Sequence, residues 1–175
     1  MKKLILSLLV LAVAAPLSAQ RVNLDFPGLG DKASEVVDVT LDGSMLRLAS
    51  KFLSNSDPDE RAARDIVQKL EGIYVRSYTF DHDGEYDRAV LDRVRAQLGP
   101  AWKKIVNVRS RHREDSEIYI ATRGDQPVGM LVISAEPREL TVVNIVGPID
   151  VEKLSALEGN FGVPYVSKEK DKHHD

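Results

Sequence analysis

Apolar residues follow two different periods along the chain between residues 36 and 146. Short runs rich in β-branched and aromatic residues predict strands, whereas apolar residues three and four positions apart predict helices. The predicted strands span residues 36–41, 73–80, 105–110, 117–122, 128–135 and 140–146. The predicted helices span residues 45–53, 58–70, 86–98 and 150–157.

Capping and turn residues mark where these elements begin and how they are connected. Asp57 is a helix cap, Pro58 is the first helical position and Glu60 lies three residues after the cap, an arrangement that satisfies the free N–H groups of a helix start. Short connections with Gly and Pro join the last four strands, which predicts an antiparallel meander. The order β-α-α-β-α-β-β-β-β-α therefore predicts an α+β domain with a mostly antiparallel sheet and with its helices packed on one face.

The first 19 residues have the order of a signal peptide. Lys2 and Lys3 precede an apolar run at residues 4–15, and the small residues Ser18 and Ala19 suit signal peptidase. We expect cleavage after Ala19 and a mature protein that is periplasmic or secreted. No later segment approaches the roughly 18 apolar residues of a membrane-spanning helix, so no membrane span is predicted.

Three regions are predicted after the signal peptide. Residues 20–32 contain Pro27, Gly28 and Gly30 without an evident period, and they are predicted to form an extended lead-in. Residues 33–166 are predicted to be a single α+β domain. Residues 167–175 contain no apolar residue, and this charged tail is predicted to be disordered.

Composition argues against several classes of function. The chain carries 24 Lys and Arg residues against 27 Asp and Glu, a net charge of −3, and an acidic protein is not expected to bind nucleic acid or an anionic membrane. The absence of cysteine excludes thiol catalysis, cysteine-ligated zinc and iron–sulfur clusters. We therefore expect no cofactor and no lipid anchor.

No catalytic or metal site is predicted, although some segments leave alternatives open. The loop 81–87 holds four acids, but its glycine is fourth, whereas an EF-hand loop requires glycine sixth. His173 and His174 lie in the charged tail, where they would bind a metal only weakly. Glu136 and Glu139 flank a predicted hairpin, and paired carboxylates support hydrolysis only when they meet in a cleft.

Alternation along the predicted strands indicates a candidate surface for a protein partner. Successive side chains on a strand point to opposite faces, so Tyr74, Arg76 and Tyr78 share one face of the sheet. The same rule places Arg109 and Tyr119 on that face. Tyr and Arg dominate binding hot spots, and we expect this surface to bind another protein or a second copy of the chain. The alternatives are that its aromatic residues brace neighbouring strands or are covered by the lead-in.

A basic cluster lies at the hairpin between the third and fourth predicted strands. Its members are Arg109, Arg111, His112 and Arg113. Glu114, Asp115 and Glu117 follow directly. This mixture of signs favours a solvated hairpin over an anion-binding site.

Four segments of the chain carry a family resemblance. They are LEGIYVRSY at 70–78, WKKIV at 102–106, GMLVI at 129–133 and EPRELTVVNIVGPID at 136–150. Together they resemble the bacterial envelope proteins grouped as domain of unknown function 4252, over most of the chain after Asp31. The resemblance implies a small exported or lipid-anchored domain without an assigned activity, often encoded beside extracytoplasmic sigma factors and their regulators.

The leading functional hypothesis is a non-enzymatic envelope domain that binds another protein, in a setting of extracytoplasmic signalling or stress response. The first alternative is a periplasmic hydrolase that uses the acids at 81–87 or at Glu136 and Glu139. The second is a carrier of a small ligand or a metal ion. A cleft that converges on those acids would favour the hydrolase, whereas a shallow surface would favour protein binding.

The signal peptide gives the first testable prediction. Exported protein should begin at Gln20, because the small residues that signal peptidase selects end at Ala19. Intact-mass measurement of the periplasmic fraction checks this start site. Protein that retains Met1 in that fraction would contradict the prediction.

Overall fold

A computed structural model describes residues 20–53, 56–110 and 114–150 of the chain. The fold is α+β, with one six-stranded antiparallel sheet and three short helices in the described part. The strands are β1 (Glu35–Asp42), β2 (Gly72–Thr79), β3 (Trp102–Arg109), β4 (Asp115–Arg123), β5 (Gln126–Ala135) and β6 (Glu139–Val146). The helices are α1 (Gly43–Ala49), α2 (Pro58–Val67) and α3 (Val90–Arg95). The predicted signal peptide, residues 151–157 of the predicted last helix and the predicted tail lie outside the described residues.

The strands lie in the order β1-β2-β6-β5-β4-β3, and each neighbouring pair is antiparallel. Strands β3 to β6 follow one another along the sheet, as the short loops between them predict. β2 pairs with β6, so the N-terminal hairpin closes onto the end of the meander. This pairing joins distant parts of the chain into one sheet.

One face of the sheet is covered by α3 and by the N-terminal segment 20–32. Leu91 and Val94 of α3 pack there against the sheet residues Leu131 and Leu140, which are both 0% exposed. The N-terminal segment adds four buried apolar side chains to this cluster, namely Val22, Leu24, Phe26 and Leu29. An extended segment without a helix or strand thus supplies much of the cover on this face.

The other face carries α1 and α2. Leu46 of α1 and Ile66 of α2 form a second cluster with Ile73 and Ile145 of the sheet. The prediction that the helices pack on one face is therefore wrong, because α3 lies on the opposite face. The physical reason is that β5 and β6 carry apolar residues on both of their faces, so both faces of the central sheet need cover.

All three described helices are shorter than their predicted spans, and α2 ends at Val67 instead of residue 70. α1 ends at Ala49 and a single 3-10 turn, Ser50–Phe52, continues it. α3 begins only at Val90, since Tyr86 stacks on Phe80 with ring centroids 5.1 Å apart and is buried in the core. Packing of this aromatic side chain replaces the first helical turn that the apolar spacing predicts.

Asn144 holds the N-terminal segment to the sheet. Its side chain is fully buried near the C-terminal end of β6. The amide oxygen accepts a hydrogen bond from the Val22 N–H at 2.9 Å, and the amide nitrogen donates to the carbonyls of Gln20 at 3.3 Å and Met130 at 3.2 Å. The side chain thus acts in place of a neighbouring strand for this segment.

Replacement of Asn144 tests how strongly the segment depends on these bonds. Asn144→Ala should lower the free energy of unfolding by about 2–4 kcal/mol, because buried backbone groups lose their partner. It should also speed tryptic cleavage at Arg21. Urea denaturation and a proteolysis time course measure the two effects.

Asn23→Ala is the matched control on the same segment. Among the residues that the structure describes, its side chain accepts a hydrogen bond only from the exposed Asp25 N–H, at 2.9 Å. The expected change is within about 0.5 kcal/mol, since surface substitutions seldom exceed that. Equal effects of the two substitutions would contradict the role of Asn144.

Candidate functional site

The five residues predicted to bind a partner lie on one face of the sheet but at two separate places. Tyr74, Arg76 and Tyr78 belong to β2, whereas Arg109 and Tyr119 belong to β3 and β4. Strands β6 and β5 lie between these groups, a span of about 14 Å from β2 to β4 at the usual strand spacing. The α3 helix and the N-terminal segment cover that span. The five residues therefore do not form one continuous open surface.

The group on β2 is covered by the N-terminal segment. Tyr78 is 6% exposed and meets the Phe26 ring edge-to-face with centroids 5.9 Å apart. The guanidinium of Arg21 lies 4.3 Å from the ring centroid of Tyr74. Arg76 forms an ion pair with Asp38 at 2.5 Å. Of the predicted alternatives, coverage by the lead-in describes this group, and only an open groove of about 500 Å³ remains beside it.

The second group adjoins a charged cavity of about 450 Å³ between α3 and the sheet edge. Six of its seven lining residues are charged, and the seventh is Leu91. The lining cations are Arg88, Arg95, Lys104 and Arg109, and the lining acids are Asp115 and Glu117. We name this site the cationic pocket.

Local structure explains why these residues meet. Leu91 and Arg95 are four residues apart on α3 and share one helix face, and Arg88 lies in the turn that leads into this helix. On β3 a break in the register falls between Lys104 and Val106. This bulge turns Lys104 to the same face as Arg109, although the two residues are five positions apart and strict alternation would place them on opposite faces.

Glu117 is the most buried charge in the pocket, at 4% exposure. Its carboxylate accepts hydrogen bonds from Arg95 at 3.1 and 3.2 Å and from the Tyr119 hydroxyl at 2.6 Å, and it pairs with Lys104 at 3.0 Å. Burial alone would raise the pKa of Glu117. The bonds from Tyr119, Arg95 and Lys104 outweigh burial and lower that pKa to about 2.

The pocket has an excess of positive charge, because four cations and two acids line it. Arg88 pairs with Asp115 at 2.5 Å and donates to the Ala135 carbonyl at 2.7 Å. Arg95 also contacts Asp92 at 2.7 Å. The Arg109 side chain has no hydrogen bond or ion pair with any residue that the structure describes. Arg109 is therefore the cation most available to an incoming anion.

The acidic residues of the hydrolase alternative lie outside the cationic pocket. Asp83 of the loop 81–87 is 3.5 Å from Arg138, and His82 pairs with Glu85 at 3.5 Å on the surface. Glu136 and Glu139 are exposed and line neither the groove nor the cationic pocket. Within the described residues, no group of three or more potential ligands could hold a metal ion.

Some predicted features fall outside the described residues. These are Arg111, His112 and Arg113 of the basic hairpin and His173 and His174 of the tail.

In the part of the chain that the structure describes, no helix is long and apolar enough to cross a membrane.

The fold defines a small α+β domain built on one antiparallel sheet, with a charged pocket at its edge. Residues 31–157 match the family described as Domain of unknown function (DUF4252), and the chain belongs to that family. The resemblance seen in the sequence is thereby confirmed. Comparison with curated proteins and with solved structures finds no match.

The bonded carboxylate of Glu117 predicts a specific dependence of stability on pH. Its pKa is lower in the folded protein than its usual 4.5, so the charged form stabilises the fold above about pH 4.5. That contribution is lost as the pH falls towards 2, and it amounts to about 3 kcal/mol. Glu117→Gln should remove most of this loss between pH 5 and pH 2 and lower the stability at pH 7.

Urea denaturation at pH 3, 5 and 7 measures the effect. Glu114→Gln is the control, because Glu114 is exposed in the adjoining loop. The control should retain the acid dependence of the unchanged protein. An acid dependence as steep in Glu117→Gln as in the control would contradict the assignment.

Proposed function

We propose that this protein is an exported, non-enzymatic domain of the bacterial envelope that binds an acidic segment of another protein. The observation that carries the proposal is the excess of positive charge in the cationic pocket, with the Arg109 side chain left unpaired among the described residues. The export part rests on the signal-peptide pattern of residues 1–19.

The geometry of the pocket suits a carboxylate ligand. Four cationic side chains from one helix, the turn before it and one strand converge on an open cavity, and two acids neutralise only half of their charge. Arginine binds carboxylates with two parallel N–H bonds, which makes it the residue suited to such a partner. The negative charge of the whole chain limits non-specific attraction of polyanions, so recognition depends on this local excess.

The state of Glu117 supports a binding role over acid–base catalysis. A carboxyl group that acts as a general acid or base near neutral pH needs a raised pKa, whereas the pKa of Glu117 is about 2. Its oxygens are already engaged by Tyr119, Arg95 and Lys104. Glu117 therefore positions Arg95 and Lys104 in the pocket beside Arg109, the cation that an anionic ligand would contact.

A labelled acidic peptide provides the test. Fluorescence anisotropy should detect a fluorescein-labelled peptide of alternating Glu and Ser, but not the same peptide with Gln in place of Glu. Binding should weaken with salt, since it rests on charge. Arg109→Ala should reduce affinity about tenfold, which corresponds to loss of one charged hydrogen bond.

Arg93→Ala is the matched control, because Arg93 is exposed on α3 but does not line the pocket. It should leave the affinity unchanged. Both variants should melt within about two degrees of the unchanged protein, since each removes an exposed side chain. Equal losses in the two variants, or binding of the Gln peptide, would contradict the proposal.

A further inference from the structure

Strands β1 and β3 form the two outer edges of the sheet, and their charges are opposite in sign. β1 carries three acids and no basic residue, whereas β3 carries three basic residues and no acid. These residues are Glu35, Asp38 and Asp42 on β1, and Lys103, Lys104 and Arg109 on β3. In the part of the chain that the structure describes, no strand pairs with the outer side of either. Each edge therefore presents backbone N–H and C=O groups to which a further strand can bind.

Both edges also expose apolar side chains. Val36 and Val37 of β1 are 48% and 41% exposed, and Ile105 and Val108 of β3 are 59% and 53% exposed. Charges on an edge strand normally prevent such a surface from pairing with other chains. Here the charges disfavour the pairing of two β1 strands or of two β3 strands, because like charges would meet. They favour the pairing of β1 with β3, where opposite charges meet.

The strand directions allow the two edges to meet. Each of the six strands is antiparallel to its neighbour, so β1 and β3 run in opposite directions. A second copy that is displaced sideways by the width of the sheet, with the same face up, thus places its β1 antiparallel beside β3. A parallel pairing would require one copy to be turned over, so that the face covered by α3 would continue onto the face that carries α1 and α2.

Face and charge together select one register. Asp38 stands opposite Arg76, and Arg109 stands opposite Asp115, so both side chains lie on the face that α3 covers. If Arg109 stands opposite Asp38 of the second copy, the pairs that follow are Val108 with Val39, Asn107 with Thr40 and Val106 with Leu41. Two apolar pairs then alternate with a charged pair and a polar pair, each on matching faces.

We propose that β1 of a second copy binds β3 in this register and extends the sheet. The inference rests on the proposed function, because the acidic segment that reaches Arg109 of the cationic pocket is here supplied by β1. The Asp38 side chain is 57% exposed in its ion pair with Arg76, so its carboxylate can accept further bonds from Arg109. Each added copy leaves one β1 edge and one β3 edge free, and assembly therefore continues as an open row.

Sedimentation velocity of the mature chain tests the assembly. The average mass should rise between about 10 μM and about 1 mM, since an interface of a few strand pairs is weak. Arg109→Glu should keep the protein monomeric over this range, because two acids would then meet. Arg93→Glu is the matched control, since it makes the same change of charge at an exposed position of α3 and should assemble like the unchanged protein.

Single cysteines test the register, because the chain contains no cysteine of its own. A chain with Val108→Cys, mixed with a chain with Val39→Cys, should oxidise to a mixed dimer, since opposed residues have Cα atoms about 5 Å apart. Val108→Cys mixed with Phe52→Cys is the control, because Phe52 is 84% exposed but lies in the turn after α1. This mixture should stay reduced. Heavy-isotope labelling of one chain lets intact mass separate mixed dimers from dimers of like chains.

The outcomes separate this inference from the proposed function. Mixed dimers, together with loss of assembly in Arg109→Glu alone, support the inference. Dimers of like chains only would indicate a symmetric pairing and overturn it, as would monomers at every concentration. The labelled Glu peptide is tested on dilute, monomeric protein. A chain that binds this peptide but does not assemble overturns the inference alone, whereas one that does neither overturns the proposed function as well.

Discussion

The hydrogen bonds of Asn144 hold together a core that has no regular element over much of one face. Two bonds from one buried amide fix the backbone of residues 20 and 22, and a third joins the amide to the Met130 carbonyl of β5. The apolar side chains that follow in the segment cover the sheet. A buried amide without partners would be costly, so the side chain and the segment stabilise each other. The position of Tyr74, Arg76 and Tyr78 beneath this segment follows from the same contact.

The two faces of the sheet are covered in different ways. On one face, extended chain and α3 bury Leu131, Leu140 and Val142 almost completely. On the other face, α1 and α2 cover only one end, and the sheet residues Val75, Val143 and Val132 stay partly exposed among the described residues. This asymmetry arises because the sheet is six strands wide, whereas α1 and α2 span only seven and ten residues. Helices of that length cover about 10–15 Å, less than the width of the sheet.

The strands were more predictable from sequence than the layers that cover them. Each predicted strand lies within three residues of its observed start, because β-branched residues and turn signals act locally. The cover was harder to predict because it depends on contacts distant in sequence. One local signal was available, since Val22, Leu24 and Phe26 alternate with the exposed residues Arg21, Asn23 and Asp25. That alternation over six residues predicts a buried extended segment.

The cationic pocket shows why composition and spacing alone miss a site. The arginine at 109 was predicted to lie on the same face as Tyr119, and the pairing of β3 with β4 places it there. Strict alternation would place Lys104 on the opposite face of the sheet. The bulge beside Lys104 instead brings its ammonium group within 3.0 Å of Glu117. A bulge has no reliable sequence signature, so the sequence pattern does not predict that Lys104 joins Arg109 in one pocket. The buried charge of Glu117 binds two of the cations, and this leaves Arg109 as the group whose charge is not balanced by a described neighbour.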